Sequence, residues 1–218
     1  MYIIVAIIVI IVIVFAVILS SNTLVQAYID DSYLDDLWFE DVNERFYEER
    51  SFGLEKQASF TYYLNEEACN GFPAFLTVTT FKTLFMISED DLFENLIETI
   101  HDYASVDKVI LNESSKLFGD RTIKNGNHPT RYCFFEGSIN ISGLSERVFY
   151  FGEIWNCGVS GSSIVCIGFA QVTNNSIENF SHLGKMVRDN YGTFKNEFNF
   201  PDYLFEGNDG LIYNIKCH

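Results

Sequence analysis

Residues 130–172, TRYCFFEGSINISGLSERVFYFGEIWNCGVSGSSIVCIGFAQV, decide the fold. Three runs rich in Tyr, Phe, Val and Ile, at 130–141, 146–157 and 162–172, are separated by SGLS and GVSG. Such residues suit a pleated strand, and short Gly-bearing connections join antiparallel neighbours. The stretch reads as an antiparallel meander. Upstream, SFTYYLN (59–65) and AFLTVTTFK (74–82) carry the same pattern, with the turn residues EEACNGFP between them. DKVIL (107–111) and SKLFGDRTIK (115–124) add two strands before the meander. Ser88 caps a helix with Asp91 in the N3 place of a capping box, and Leu92, Phe93, Leu96, Ile97 and Ile100 form its apolar face. A second amphipathic helix is expected over 177–194, and YLFEGNDGLIYNI (203–215) reads as a last hairpin turning at Asn208–Gly210.

The start of the chain is of another kind. Tyr2 to Leu19 carry no charge, and eighteen helical residues cover about 27 Å, close to a bilayer core of roughly 30 Å. The run is longer than a secretory h-region and lacks a basic n-region, although Val25 and Ala27 fit a small-residue cleavage site. A retained anchor over 1–25 is the favoured reading, and a cleaved signal the alternative. The first basic residue is Arg45, so no Lys/Arg bias holds the following segment in the cytoplasm. The expected topology is single-pass in the cell membrane, N-terminus in and domain outside. Sequons at Asn112, Asn140, Asn174 and Asn179 are candidate glycosylation sites in that setting. Residues 26–57 read as an acidic helical stalk, because Ile29, Tyr33, Leu34, Leu37, Trp38, Val42 and Phe46 recur at threes and fours. Residues 58–218 form the domain.

Composition excludes two classes. A formal charge of −16 repels phosphate backbones, so nucleic-acid binding is set aside. An aromatic content of 16% supplies the apolar bulk that disordered chains lack. The histidines, His101, His128, His182 and His218, have no partner at metal-ligand spacing, and GVSGS (158–162) lacks the last Gly of a nucleophile elbow. No catalytic residue, metal site or cofactor is expected. Of five cysteines, Cys157 and Cys166 face each other if the hairpin turns at Gly161–Ser162. They then form either a disulfide or a pair of buried thiols.

Two strands, a helix, a meander and a closing helix: this order resembles the PsbP-like domains. The segments TIKNGNHPTRYCFFEG (122–137), RVFYFGEIWNC (147–157), SIVCIGFAQV (163–172) and NFSHLGKMVRDNYGTF (179–194) carry the resemblance, which covers roughly 58–196. It implies an α+β fold, with helices flanking an antiparallel sheet as an α/β/α sandwich, here preceded by one transmembrane helix. It also implies a family of extrinsic, non-catalytic subunits and exported lipoproteins. The family shares no active site, so no residue carries over. The first cysteine, Cys69, is far from the apolar run, which excludes a lipid-modified cysteine after a signal. The expected protein is a non-catalytic binding or accessory domain with a protein partner at the cell surface. A surface hydrolase with dispersed residues and a filament or envelope subunit are the alternatives.

Overall fold

In the computed structural model the meander is the centre of the sheet. The structure describes residues 23–34, 37–123, 127–175, 177–186 and 210–218, together with Ile10. The strands are β1 (Tyr28–Ile29), β2 (Trp38–Glu40), β3 (Phe46–Arg50), β4 (Glu55–Leu64), β5 (Ala74–Lys82), β6 (Ile110–Leu111) and β7 (Leu117–Ile123). They continue with β8 (His128–Ile141), β9 (Leu144–Cys157), β10 (Ser162–Gln171), β11 (Thr173–Asn174), β12 (Ile177–Glu178) and β13 (Ile215–Lys216). Among the described residues they are joined by the α-helices α1 (Glu66–Cys69), α2 (Glu89–Val106) and α3 (Ser181–Met186).

The main sheet runs β2-β4-β5-β10-β9-β8-β6, with β3 also on β4 and β7 also on β8, and every pair is antiparallel. Ser142 and Gly143 join β8 to β9 with φ of 54° and 89°, the double positive φ that a type I′ hairpin needs. That turn matches the right-handed strand twist and sets Ile141 opposite Leu144. Val148 to Trp155 of β9 are buried without a break because both faces of the sheet are covered.

On one face α2 lays Leu92, Phe93, Leu96 and Ile100 against Phe135, Tyr150 and Ile154. Ser88 caps its start as expected: its Oγ accepts from the Asp91 N–H at 3.2 Å, and the Asp91 carboxylate at N3 accepts from the Ser88 hydroxyl at 2.7 Å. Gly152 lets the helix approach, since a Cβ there would come within 2.7 Å of Leu96 and 2.9 Å of Cys133 Sγ. The opposite face buries Tyr62, Phe134, Phe149, Phe151 and Trp155 under stretches remote in sequence, including Ala27–Leu34, α3 and 210–217. Each such aromatic contributes about 1.5–3 kcal/mol by leaving water. β1 and β13 pair across this face, Ile29 opposite Ile215.

Several expectations are corrected. The α/β/α sandwich is not the architecture: the described fold is predominantly antiparallel β, with one long helix on one face and irregular segments on the other. Residues 26–57 are no helical stalk. Asp30 and Asp41 each accept the N–H two residues on, from Ser32 and Asn43, and these Asx turns cap short 3-10 turns between β1, β2 and β3. The expected membrane helix over 1–25 lies almost wholly outside the described residues. Among the described residues no helix is long and apolar enough to cross a membrane, so the single-pass and signal-anchor readings find no support. Of the second helix, expected over 177–194, Ile177–Glu178 are instead strand β12, 181–186 are helical and 187–194 lie outside the described residues, as does the hairpin turn before Gly210.

The disulfide expectation fails on register. Cys157 pairs with Ser162, Cys166 pairs with Glu153, and all five cysteines are free. The turn is centred two residues earlier than expected, with Gly158–Gly161 as its loop and the Gly161 N–H donating to the Cys157 carbonyl at 2.8 Å. Lys82 clamps this loop by donating to the carbonyls of Ser160 and Gly161, at 2.7 and 2.9 Å. Gly161 takes φ +61°, and a Cβ there would meet the Lys82 ammonium at 2.8 Å.

Candidate functional site

A helix is narrower than this sheet, so α2 leaves part of its face open. Between α2 and the β4–β5–β10 strands lies a cleft of about 360 Å³. Gln57, Thr77, Thr79 and Phe81 rise from β4 and β5, and Val165 and Ile167 from β10. Asn95, Leu96, Thr99 and Tyr103 form the helix wall. None of the lining side chains is an acid, a base, a His or a Cys. Burial raises the Tyr103 phenol further above its ordinary range, so the phenol stays neutral at physiological pH. Alternation places Phe75 on the Thr77 face. It joins an aromatic row across the strands, Phe39–Tyr63–Phe75–Phe169–Tyr150, with ring centroids 5.2–6.2 Å apart. A smaller pocket of about 230 Å³ adjoins the cleft, sharing Gln57, Phe81 and Ile87, and is lined on the β3 side by Glu48, Arg50, Glu55 and Lys56.

The opposite face carries two polar clusters. Arg121 of β7 and Glu153 of β9 form an ion pair with side chains 2% and 0% exposed, the guanidinium Nε donating at 2.8 Å. Thr130 Oγ1 donates to the same carboxylate, and Tyr132, Phe151 and Tyr213 face the guanidinium with centroids 5.1–5.9 Å away. This pair is built into the core.

The second cluster joins the start of β8, the end of β9 and the residues after β13. The ligating atoms of His128, Cys157, Cys217 and His218 all lie within 4.8 Å of one another. Counting three residues back from Arg131 and three on from Ile154, its partner, sets His128 opposite Cys157. Cys217 Sγ is 3.2 Å from His128 Nε2, and both sulfurs are 3.5 Å from His218 Nδ1. Burial and the neighbouring His218 lower the His128 pKa, which keeps its imidazole neutral. Burial acts to raise the Cys157 thiol, but Ser160, Cys217 and His218 outweigh it and bring the pKa down to about 7. Burial and the nearby Cys157 push Cys217 up to about 12.

Of the residues singled out in the sequence, His101 lies on the last turns of α2, 3.6 Å from Glu113, and His182 is buried against Phe72. The sequon residues Asn112 and Asn179 accept the N–H and hydroxyl of the Ser two residues on, while Asn140 accepts the Gly143 N–H and Asn174 donates to the Gly71 carbonyl. Spacing alone missed the His–Cys cluster, because its members come from three separate stretches. The signals available were the Cys217-His218 pair and the β8–β9 register. Neither protein-family models nor curated proteins give a match to this chain.

Proposed function

We propose that the chain is a non-catalytic binding domain that takes a small uncharged ligand in the cleft between α2 and the β4–β5–β10 face. One observation carries the reading: the cleft is lined by amides, hydroxyls and apolar groups with no charge among them. A charged ligand would lose its hydration there without gaining a partner. A wholly apolar ligand would cover Gln57, Thr79 and Asn95 without meeting their polar groups. The complementary molecule has hydroxyl or amide groups along one side and a C–H or ring face on the other. The volume suits one small molecule. The same lining argues against turnover, since proton transfer in hydrolysis needs an acid or base within reach of the substrate. The cleft's own lining supplies no such group to the surface-hydrolase alternative; the Glu48 and Glu55 carboxylates line the adjoining pocket.

The test is ligand-observed NMR on the full chain, with neutral saccharides and nucleosides against their phosphorylated counterparts. Neutral compounds should bind, and Thr79→Val, which deletes a hydroxyl and keeps the shape, should weaken binding roughly tenfold. Preferential binding of the phosphorylated set, or affinity unchanged in Thr79→Val and in a cleft-filling Thr79→Trp, refutes the reading.

A further inference from the structure

We infer that His128, Cys157, Cys217 and His218 form a closed tetrahedral zinc site that fastens the 210–218 segment to the sheet. The inference is independent of the ligand proposed for the cleft on the other face.

Geometry carries it first. Zinc bonds of about 2.3 Å to sulfur and 2.0–2.1 Å to nitrogen at tetrahedral angles separate sulfur from nitrogen by about 3.5 Å. Three of the four sulfur–nitrogen separations are 3.2, 3.5 and 3.5 Å, close to that value, and all four ligand atoms lie within 4.8 Å of one another, so they can gather around one metal ion. Ligand chemistry comes second. Two thiolates and two imidazoles are the soft and borderline donors that select zinc over magnesium or calcium, which take oxygen. Charge comes third. Three of the four residues are buried, and two thiolates on a divalent ion make a neutral unit that can lie at 0% and 3% exposure. On binding, the thiol protons of Cys157 and Cys217 leave to water and no electrons change hands. The exposed His218 gives the ion a route in.

A Cys157–Cys217 disulfide is the rival. It would need the sulfurs to close to about 2.05 Å and would leave both imidazoles without a role at the cluster. Four protein ligands leave no open position, which makes the site structural and not a generator of bound hydroxide. Cys217 and His218 follow directly on β13, which pairs with β1, so the ion would anchor the β1–β13 ribbon.

The experiment uses the full chain, purified under reducing conditions with zinc present. Elemental analysis should give one zinc per chain. Cobalt(II) in its place should show tetrahedral d–d bands and thiolate-to-cobalt charge transfer. Cys157→Ser and Cys217→Ser should each reduce that charge transfer. His218→Ala, at an exposed position where folding is not at issue, should weaken metal binding by roughly 100-fold or more. Cys166→Ser should change none of these readings. Reduced protein that retains no metal overturns the inference. So does an octahedral cobalt spectrum without thiolate bands, unaltered affinity in His218→Ala, or a Cys157–Cys217 disulfide in the zinc-supplemented protein.

Discussion

The two faces of the sheet are covered by opposite means. Seven strand positions, β2 to β6, span roughly 29 Å at about 4.8 Å per spacing, whereas a helix with its side chains is about 10–12 Å across. On the α2 face a single regular element covers the centre and stops, and the cleft is what it leaves bare. On the other face several short stretches close the surface, and they come from widely separated parts of the chain. A helix brings its own backbone hydrogen bonds and needs only an apolar stripe. Irregular segments lack that support, and on their face the core holds an ion pair and a cluster of thiols and imidazoles. Cover by one element leaves room for a ligand; cover by many needs fastenings.

If the faces differ in this way, the largest single-residue effect should come from the fastened side. Glu153→Gln takes the Glu153 carboxylate away from the buried Arg121 guanidinium, and should cost about 3–5 kcal/mol in urea unfolding. Arg121→Met with Glu153→Leu should recover most of that loss. A single mutant within experimental error of wild type would remove the ion pair from the list of fastenings. On the helix face, Gly152→Ala forces a methyl against Leu96 and Cys133 and should cost about 1–3 kcal/mol by the same measurement. A cost equal to that of Glu153→Gln would erase the contrast. Ser88→Ala removes the α2 cap and should lower stability by about 1 kcal/mol, with faster amide exchange confined to the first turn of α2.

The smallest effect is a pH dependence. Hydrogen bonds from Lys216, then Ser32, hold the Asp30 carboxyl below its ordinary range. Its folded pKa is therefore depressed, and its contribution is present above the unfolded value of about 4 and is lost as pH falls below that. Asp30 is at the surface, so screening keeps the effect small. The opening equilibrium of the Ile29 and Ile215 amides, taken as the exchange rate divided by the intrinsic rate at each pH, should rise more from pH 6 to pH 3 in wild type than in Asp30→Asn. Equal rises would detach this pair from the β1–β13 ribbon.

The central strands and α2 were legible in the sequence because their signals are local. Alternation in 74–82, the apolar runs of the meander and the Ser88/Asp91 box each act within a few residues. The 26–57 segment misled for a physical reason. Its apolar spacing is helical, but Asp30 and Asp41 satisfy nearby N–H groups with their own side chains and turn the chain instead. The thiol–imidazole cluster depends on register. A four-residue turn over SGLS would set Cys133 opposite Ile154. The true turn, Ser142–Gly143, sets Cys133 opposite Gly152 and His128 in line with Cys157. The turn composition was visible, whereas the positive φ of both residues was not. Cys217 and His218 reach the same point only through the β1–β13 pairing, which no local signal announces.

That pairing has a consequence for the order in which the protein is made. Tyr28 leaves the ribosome 188 residues before its partner Lys216. At about 5–20 residues per second the wait is roughly 10–40 s. During that interval the meander can assemble, but Ala27 and Ile29 have no 210–218 segment to lie against. The nascent chain therefore carries an unpaired apolar strand for the length of its own translation. A synonymous slowing of translation ahead of residue 210 would prolong that exposure without altering a single amino acid.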